Sequence, residues 1–409
     1  MTSIGGDDVR LRVRAAYAGF AVFGAFWGAW GASVPAVRDQ AGLSDGELGT
    51  ALLFVGAGAL PAMLLTGRAV DRWGQRVTAV LLLLLGGAGV AVAVTARDFV
   101  SLSVGLAVLG ASSGAADVAI NAAAGSAQRA SARPVITRAH GVFSALVVAA
   151  SLSTGLLRGA GFAVTAPFLL VAVAAGVASI AVLAADRTSR PQPADRGRSP
   201  KQGPAVVLRL PPLLVVGGLA ALAFAVENAH QSWSAVYLGD VLSAQPAIAA
   251  AGPAVFAAVV ALTRFAVSAL RSAHATVVLI AGAAVAAAGT TVVAIATAVP
   301  TALIGLGLAA AGTAVLFPTL LTLVAAHVED AARGAATSVV TTVAYTGFLA
   351  GPVYVGRWAA AVNLPGAMLA VAALAGCSRP ARVAHAARDH HPAGRLDDPA
   401  GRARSAVGH

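Results

Sequence analysis

The sequence predicts an all-α integral membrane protein, with about twelve transmembrane helices in two six-helix bundles and both termini in the cytoplasm. Three observations carry this. Of 409 residues, 58% are hydrophobic and only 11% charged, against about 25% charged in a soluble domain. The apolar residues gather into runs close to the ~20 that a helix needs to cross ~30 Å of hydrocarbon at 1.5 Å per residue. The basic residues, finally, crowd into alternate gaps between those runs. A soluble enzyme, a nucleic-acid binder and a secreted disulfide scaffold are excluded, and the single cysteine, Cys377, has no internal partner.

Charged or turn-rich breaks set the limits of each span. Span 1 covers 15–37 between Arg14 and Arg38; the spans that follow make it an uncleaved helix rather than a signal peptide. Span 2 (47–66) ends at a basic loop, and the leucine run of span 3 (77–95) lies between Arg76 and Arg97. Spans 4 (99–125), 5 (138–158) and 6 (162–185) are separated by Arg129 to Arg138 and by Arg158. The second set comprises 211–238, 246–269, 276–297, 299–326, 336–356 and 363–378. The last offers about 16 apolar residues, below the usual ~17–25, with Pro365 and Gly366 near its start.

Cytoplasmic loops keep the excess of Lys and Arg. With the N-terminus inside, only Arg38, Arg97, Arg158 and Arg357 of the 28 basic residues fall outside. The chain is therefore expected to be a multi-pass protein of the cell (inner) membrane. The net charge of +11 needs no nucleic acid to explain it. A tail over 1–14 precedes the first bundle, 15–185. Residues 186–210, rich in Pro, Arg and Ser, read as a flexible cytoplasmic linker to the second bundle, 211–378, and 379–409 as a disordered cytoplasmic tail. A faint repeat relates the halves: Arg158 and Arg357 each close the fifth span of their half.

The loop after span 2 reads GRAVDRWGQR. Its Gly67, Asp71, Arg72, Gly74 and Arg76 match G-x-x-x-D-R/K-x-G-x-R/K, and the loop resembles the signature of the major facilitator superfamily. The resemblance implies that these five residues form a cytoplasmic gate latching the halves together, not a substrate site. The counterpart after span 8, TRFAVSALRSAHA, keeps Arg264 and Arg271 as cytoplasmic basic residues but has no acid.

Two carboxylates lie inside spans, where each costs roughly 2.5–3.5 kcal/mol at helix centre, so each is a functional-site candidate. Asp117 in span 4 shares one helical face with Ser113 and Asn121. Glu227 in span 7 sits near the midplane with His230, Gln231 and Ser234 at helical spacing. The stretches DVAINAAAGSAQRASARPVITRAHGVFS, ENAHQSWSAVYLGD and YTGFLAGPVYVG resemble a bacterial branch of the superfamily related to fucose permeases. In that branch spans 1, 4, 7 and 10 line a central cavity, which implies that Asp117, Asn121, Glu227 and Asn228 line it here; the chain departs from the pattern at Asn228 and Ser232. Trp27 and Trp30 in span 1 and Trp233 in span 7 are candidates for stacking on a sugar ring. His230, three residues from Glu227, is placed to share a proton with it. His140, His274 and His327 read as ordinary residues near cytoplasmic ends, and Gly351-Pro352 as a kink in span 11.

No phosphate loop, metal-ligand cluster or nucleophile constellation appears, so neither a cofactor nor an enzyme activity is expected. The expected function is secondary transport of a small, sugar-like solute by alternating access, coupled to protons, by a monomer whose partners are its solute, protons and the bilayer. Glu227 is the expected proton carrier and Asp117 a hydrogen-bonding substrate contact. Proton-antiport efflux of an amphipathic compound is a second reading. A non-transporting membrane sensor or partner subunit on the same fold is a third.

Overall fold

The structure, a computed structural model, describes residues 6–187, 210–267, 275–329 and 332–377; the linker reading for 188–209 and the tail reading for 378–409 lie outside them. Every expected span is helical. The first half holds α1 (Gly6–Ala41), α2 (Asp45–Trp73), α3 (Gln75–Thr95), α4 (Phe99–Ser131), α5 (Val135–Gly159) and α6 (Thr165–Arg187). The second holds α7 (Leu210–Asp240), α8 (Pro246–Ala249), α9 (Ala251–Val267), α10 (Ala275–Ala294), α11 (Val299–His327), α12 (Arg333–Ala361) and α13 (Leu364–Cys377). Helices α8 and α9 together make the eighth span. Among the described residues eleven helical segments are long and apolar enough to cross a membrane; α13 is shorter.

Local chemistry fixes the helix starts. Ser44 caps α2 by a reciprocal box with Glu47, and Asp98 caps α4 by accepting the Ser101 N–H at 2.8 Å. Between α2 and α3 the chain turns in a single residue, Gly74, at φ 62°, a conformation that favours glycine.

The two halves repeat one packing scheme. In the first, α1 packs on α5, α2 on α4, and α3 on both α4 and α6. In the second, α7 packs on α12, α9 on α11, and α10 on both α11 and α13. Small residues make this possible. A Cβ on Gly347 of α12 would run into the Ala221 carbonyl of α7, and one on Gly110 of α4 into the Val55 carbonyl of α2. Gly347→Val is therefore expected to cost about 3 kcal/mol or more, since backbone rather than a movable side chain fills the space. Size-exclusion profiles after graded heating should show the loss. Gly334→Val, where no atom lies within 4 Å, should behave as the parent.

Between halves, α2 packs on α12, α5 on α8 and α9, and α1 on α7. These contacts concentrate at the end opposite the chain termini, the far end. Gly49 meets Pro352 and Gly356, Gly155 meets Ala247 and Ala250, and the buried Ser151 hydroxyl donates to the Ala250 carbonyl at 2.8 Å. An ion cluster reinforces them. Arg38, closing α1, reaches Asp45 of α2 at 2.9 Å and Asp240 of α7 at 2.6 Å, with Asp39 at 3.0 Å. At the terminal end the principal approach between halves is Phe265 of α9 toward Gly141 of α5. The halves thus form a cleft that opens toward the termini.

Candidate functional site

Glu227 lies 17 residues into α7, about 25 Å along its axis at 1.5 Å per residue. Its carboxylate is 13% exposed and is not alone: Nη2 of Arg264, from α9, donates to both oxygens at 3.2 and 3.1 Å. Gln231, one turn on, donates its amide to the same carboxylate at 3.2 Å. Arg264 also points Nε at the Ala314 carbonyl of α11, 3.4 Å away, so the group ties α7, α9 and α11 together. This corrects the reading of Arg264 as a cytoplasmic loop residue. It lies inside α9, and its side chain extends to mid-depth because a buried carboxylate there needs a counter-charge. The guanidinium remains 42% exposed to the cleft. Across the cleft, His140 of α5 is exposed, lies within electrostatic reach of Arg264 and rests against the Phe20 ring at 4.9 Å.

Asp117, 18 residues into α4, has a different setting. Its carboxylate accepts the Asn121 side-chain amide at 3.1 Å, and the same amide also donates to the Asp117 backbone carbonyl at 2.9 Å. No basic group pairs with it among the described residues. It faces the other half closely enough to act electrostatically on Tyr345 of α12. Tyr345 belongs to an aromatic group with Phe224 of α7, 6.0 Å away, and Phe348; Phe224 in turn packs on Phe317 of α11 at 4.5 Å. Sequence reasoning missed this group. Its signal was available only as aromatic residues on spans 7, 10 and 11, without the packing that brings them together.

Several residues read as cavity-lining serve the second half internally. Pro352 has no N–H, which leaves the Phe348 carbonyl of α12 without its helical donor. The Asn228 amide supplies that donor, and Trp233, fully buried, donates Nε1 to the Pro352 carbonyl at 3.2 Å. Both side chains brace the kink. His230 is fully buried, bonds the Thr290 hydroxyl of α10 at 2.9 Å and packs on Phe256; it points away from Glu227 rather than sharing a proton with it. Trp30 sits in the core and Trp27 among Phe23 and Phe26, so neither is a free stacking face.

The loop after α2 stands apart. Asp71 and Arg72 are exposed; Arg72 lies over the Trp73 ring, and Arg76 faces Asp186 of its own half at 4.0 Å. No atom comes within 4 Å of a Cβ built on Gly67. In this conformation the loop does not bridge the halves. His274 and Arg271 lie outside the described residues.

A repeated six-span half, a cleft open at one end and charged groups on both walls are also features of known proteins. The profile of the Major Facilitator Superfamily matches residues 15–352. An uncharacterised MFS-type transporter of Yersinia pestis is 30% identical over 331 residues, covering 79% of this chain and 82% of that protein. Membrane protein MosC of Rhizobium meliloti is 27% identical over 367 residues, covering 89% and 88%. Among solved structures, the nucleoside transporter NupG superposes with a TM-score of 0.69 at 13% identity over 93% of this chain and 99% of its own. A bacterial homologue of the human lysosomal transporter Spinster, inward-facing and unoccupied, gives 0.68 at 15% over 92% and 96%. The chain belongs to the major facilitator superfamily.

Proposed function

We propose that the protein moves a small polar solute across the inner membrane by alternating access, driven by protons, with its open end toward the cytoplasm. The observation that carries this reading is the cleft itself, joined at one end, with Asp117 on one wall and the Glu227–Arg264 pair on the other. Rocking of the repeated halves about the mid-depth site would open it to each side in turn. The aromatic group around Tyr345 opposite Asp117 supports a solute that combines a flat face with hydrogen-bonding groups, as sugars and nucleosides do. The loop from Gly67 to Arg76 would close the cytoplasmic end in the other state. Orientation rests on the basic residues, and it has a direct test. In a Cys377→Ser background, a cysteine at Gly42 should label only from outside and one at Gln192 only from the cytoplasm; the reverse pattern would invert the topology.

Glu227 was the first choice of proton carrier from the sequence alone. Arg264 shifts the assignment, because its guanidinium already matches the Glu227 charge, whereas Asp117 has only an amide donor. We therefore assign the coupling proton to Asp117 and a solute-anchoring role to Glu227 with Arg264. A thermal-shift screen of purified protein against sugars, polyols, nucleosides and cationic dyes selects the solute. In proteoliposomes Asp117→Asn should then exchange labelled for unlabelled solute yet fail to accumulate it against a gradient when a pH difference is imposed. Glu227→Gln should weaken solute binding about tenfold, one lost charged contact, and leave coupling intact. Uphill accumulation by Asp117→Asn would return the proton to Glu227.

A further inference from the structure

Neither the cleft nor the far-end ion cluster uses Arg12. This residue, six positions into α1, lines a small cavity at the terminal end between α1, α3, α4 and α6, together with Gln75, Ser126 and small apolar residues of three helices. Its Nε is buried and has no hydrogen-bond partner, and no carboxylate pairs with its guanidinium among the described residues. Buried donors are nearly always matched, and an orphaned guanidinium donor calls for an acceptor from outside the chain. The other polar groups on the walls can also donate. The Gln75 amide oxygen accepts from the Thr78 hydroxyl at 3.2 Å, which leaves its NH2 for the cavity, and Ser126 contributes a hydroxyl. Helix α3 starts beside them with no side-chain cap, so the first turn adds unmatched N–H groups. No acid lines the space; Asp186, next to the lining Ala185, faces Arg76 at 4.0 Å.

A recess furnished with donors, one of them a fixed positive charge, suits a compact oxyanion with several acceptor oxygens. It lies at the helix ends, the depth of lipid phosphates, where basic pockets between spans hold anionic head groups. We infer that this cavity binds a phosphate group, supplied by a lipid head group or by free phosphate, with Arg12 as its counter-charge.

The test uses full-length protein, purified and delipidated in detergent. Native mass spectrometry follows binding of phosphatidylglycerol and of diacylglycerol, which lacks the phosphate; calorimetry follows inorganic phosphate. Arg12→Gln should weaken phosphate-dependent binding about tenfold, and Arg12→Lys should keep most of it. Arg10→Gln, which alters an exposed arginine paired with Asp7, should have no effect. Should Arg12→Gln fold poorly, Gln75→Leu removes one donor and should cost about threefold. Arg12-dependent binding of phosphatidylglycerol but not diacylglycerol identifies a lipid; Arg12-dependent binding of inorganic phosphate alone identifies the free ion. Binding to neither, or equal binding by the parent and both weakening variants, overturns the inference.

Discussion

Arg264→Gln is expected to destabilise the protein by about 3 kcal/mol and to stop solute uptake. Removing one partner of a buried ion pair strands the other charge, at a cost of about 3–5 kcal/mol. The low end applies here because the guanidinium is 42% exposed while Glu227 is 13% exposed. The asymmetry makes a sharper forecast. Glu227→Gln leaves its stranded charge on the better-solvated partner, so it should cost less than Arg264→Gln. The double variant carries neither charge and should recover most of the stability, though not the transport. Melting curves of the four proteins in one detergent measure the cycle. If Arg264→Gln melts with the parent, the pair does not hold α7 to α9.

Arg38→Ala is expected to loosen the far end. The side chain is only 12% exposed and stands between Asp45 of the first half and Asp240 of the second. Without it the two carboxylates face each other unscreened. Truncating one member of a buried charge pair costs about 2–5 kcal/mol; Asp240 is 37% exposed, so about 2 kcal/mol applies, roughly a thirtyfold change in an equilibrium. Spin labels at Gly42 and Asn363, in the far-end turns of the two halves, report the outcome. The variant should gain a longer distance component that the parent lacks, and Arg38→Lys should fall between them. An unchanged distribution would mean that the glycine contacts between α2 and α12 suffice without the ions.

Hydropathy made the fold readable because every span must satisfy its own backbone in lipid, which leaves helices as the solution for runs of this length. Even the short α13 was visible as a short apolar run. The break between α8 and α9 was not, since the sequence there is uniformly apolar. Within the cleft, Asp117 and Glu227 stood out because acids in apolar runs are rare. Their partners did not stand out equally. Asn121 sits one turn from Asp117 and could be paired by periodicity, whereas Arg264 is 37 residues from Glu227 and reads as a basic span end until the packing of α7 on α9 is known. The bracing of α12 was half legible. A proline inside a span orphans the carbonyl four residues earlier, so Phe348 needed a donor; that Asn228 would provide it depended on the adjacency of α7 and α12.

The close backbone contacts at the far end have an electrical consequence. Where Gly49 meets Gly356 and Gly155 meets Ala247, the packed backbones leave little room for water, while the cleft beneath them is open. A conducting cleft sits at the potential of the compartment it opens to. The membrane voltage then falls mainly across the thin packed layer rather than over the full ~30 Å of hydrocarbon. In this conformation Asp117 and Glu227 feel little of it, and Arg38 lies within the steep part of the drop. Work of about 2.3 kcal/mol per charge per 100 mV is done when the packed layer changes ends. Voltage would therefore act on the exchange between the two conformations more than on the affinity of the site for its solute.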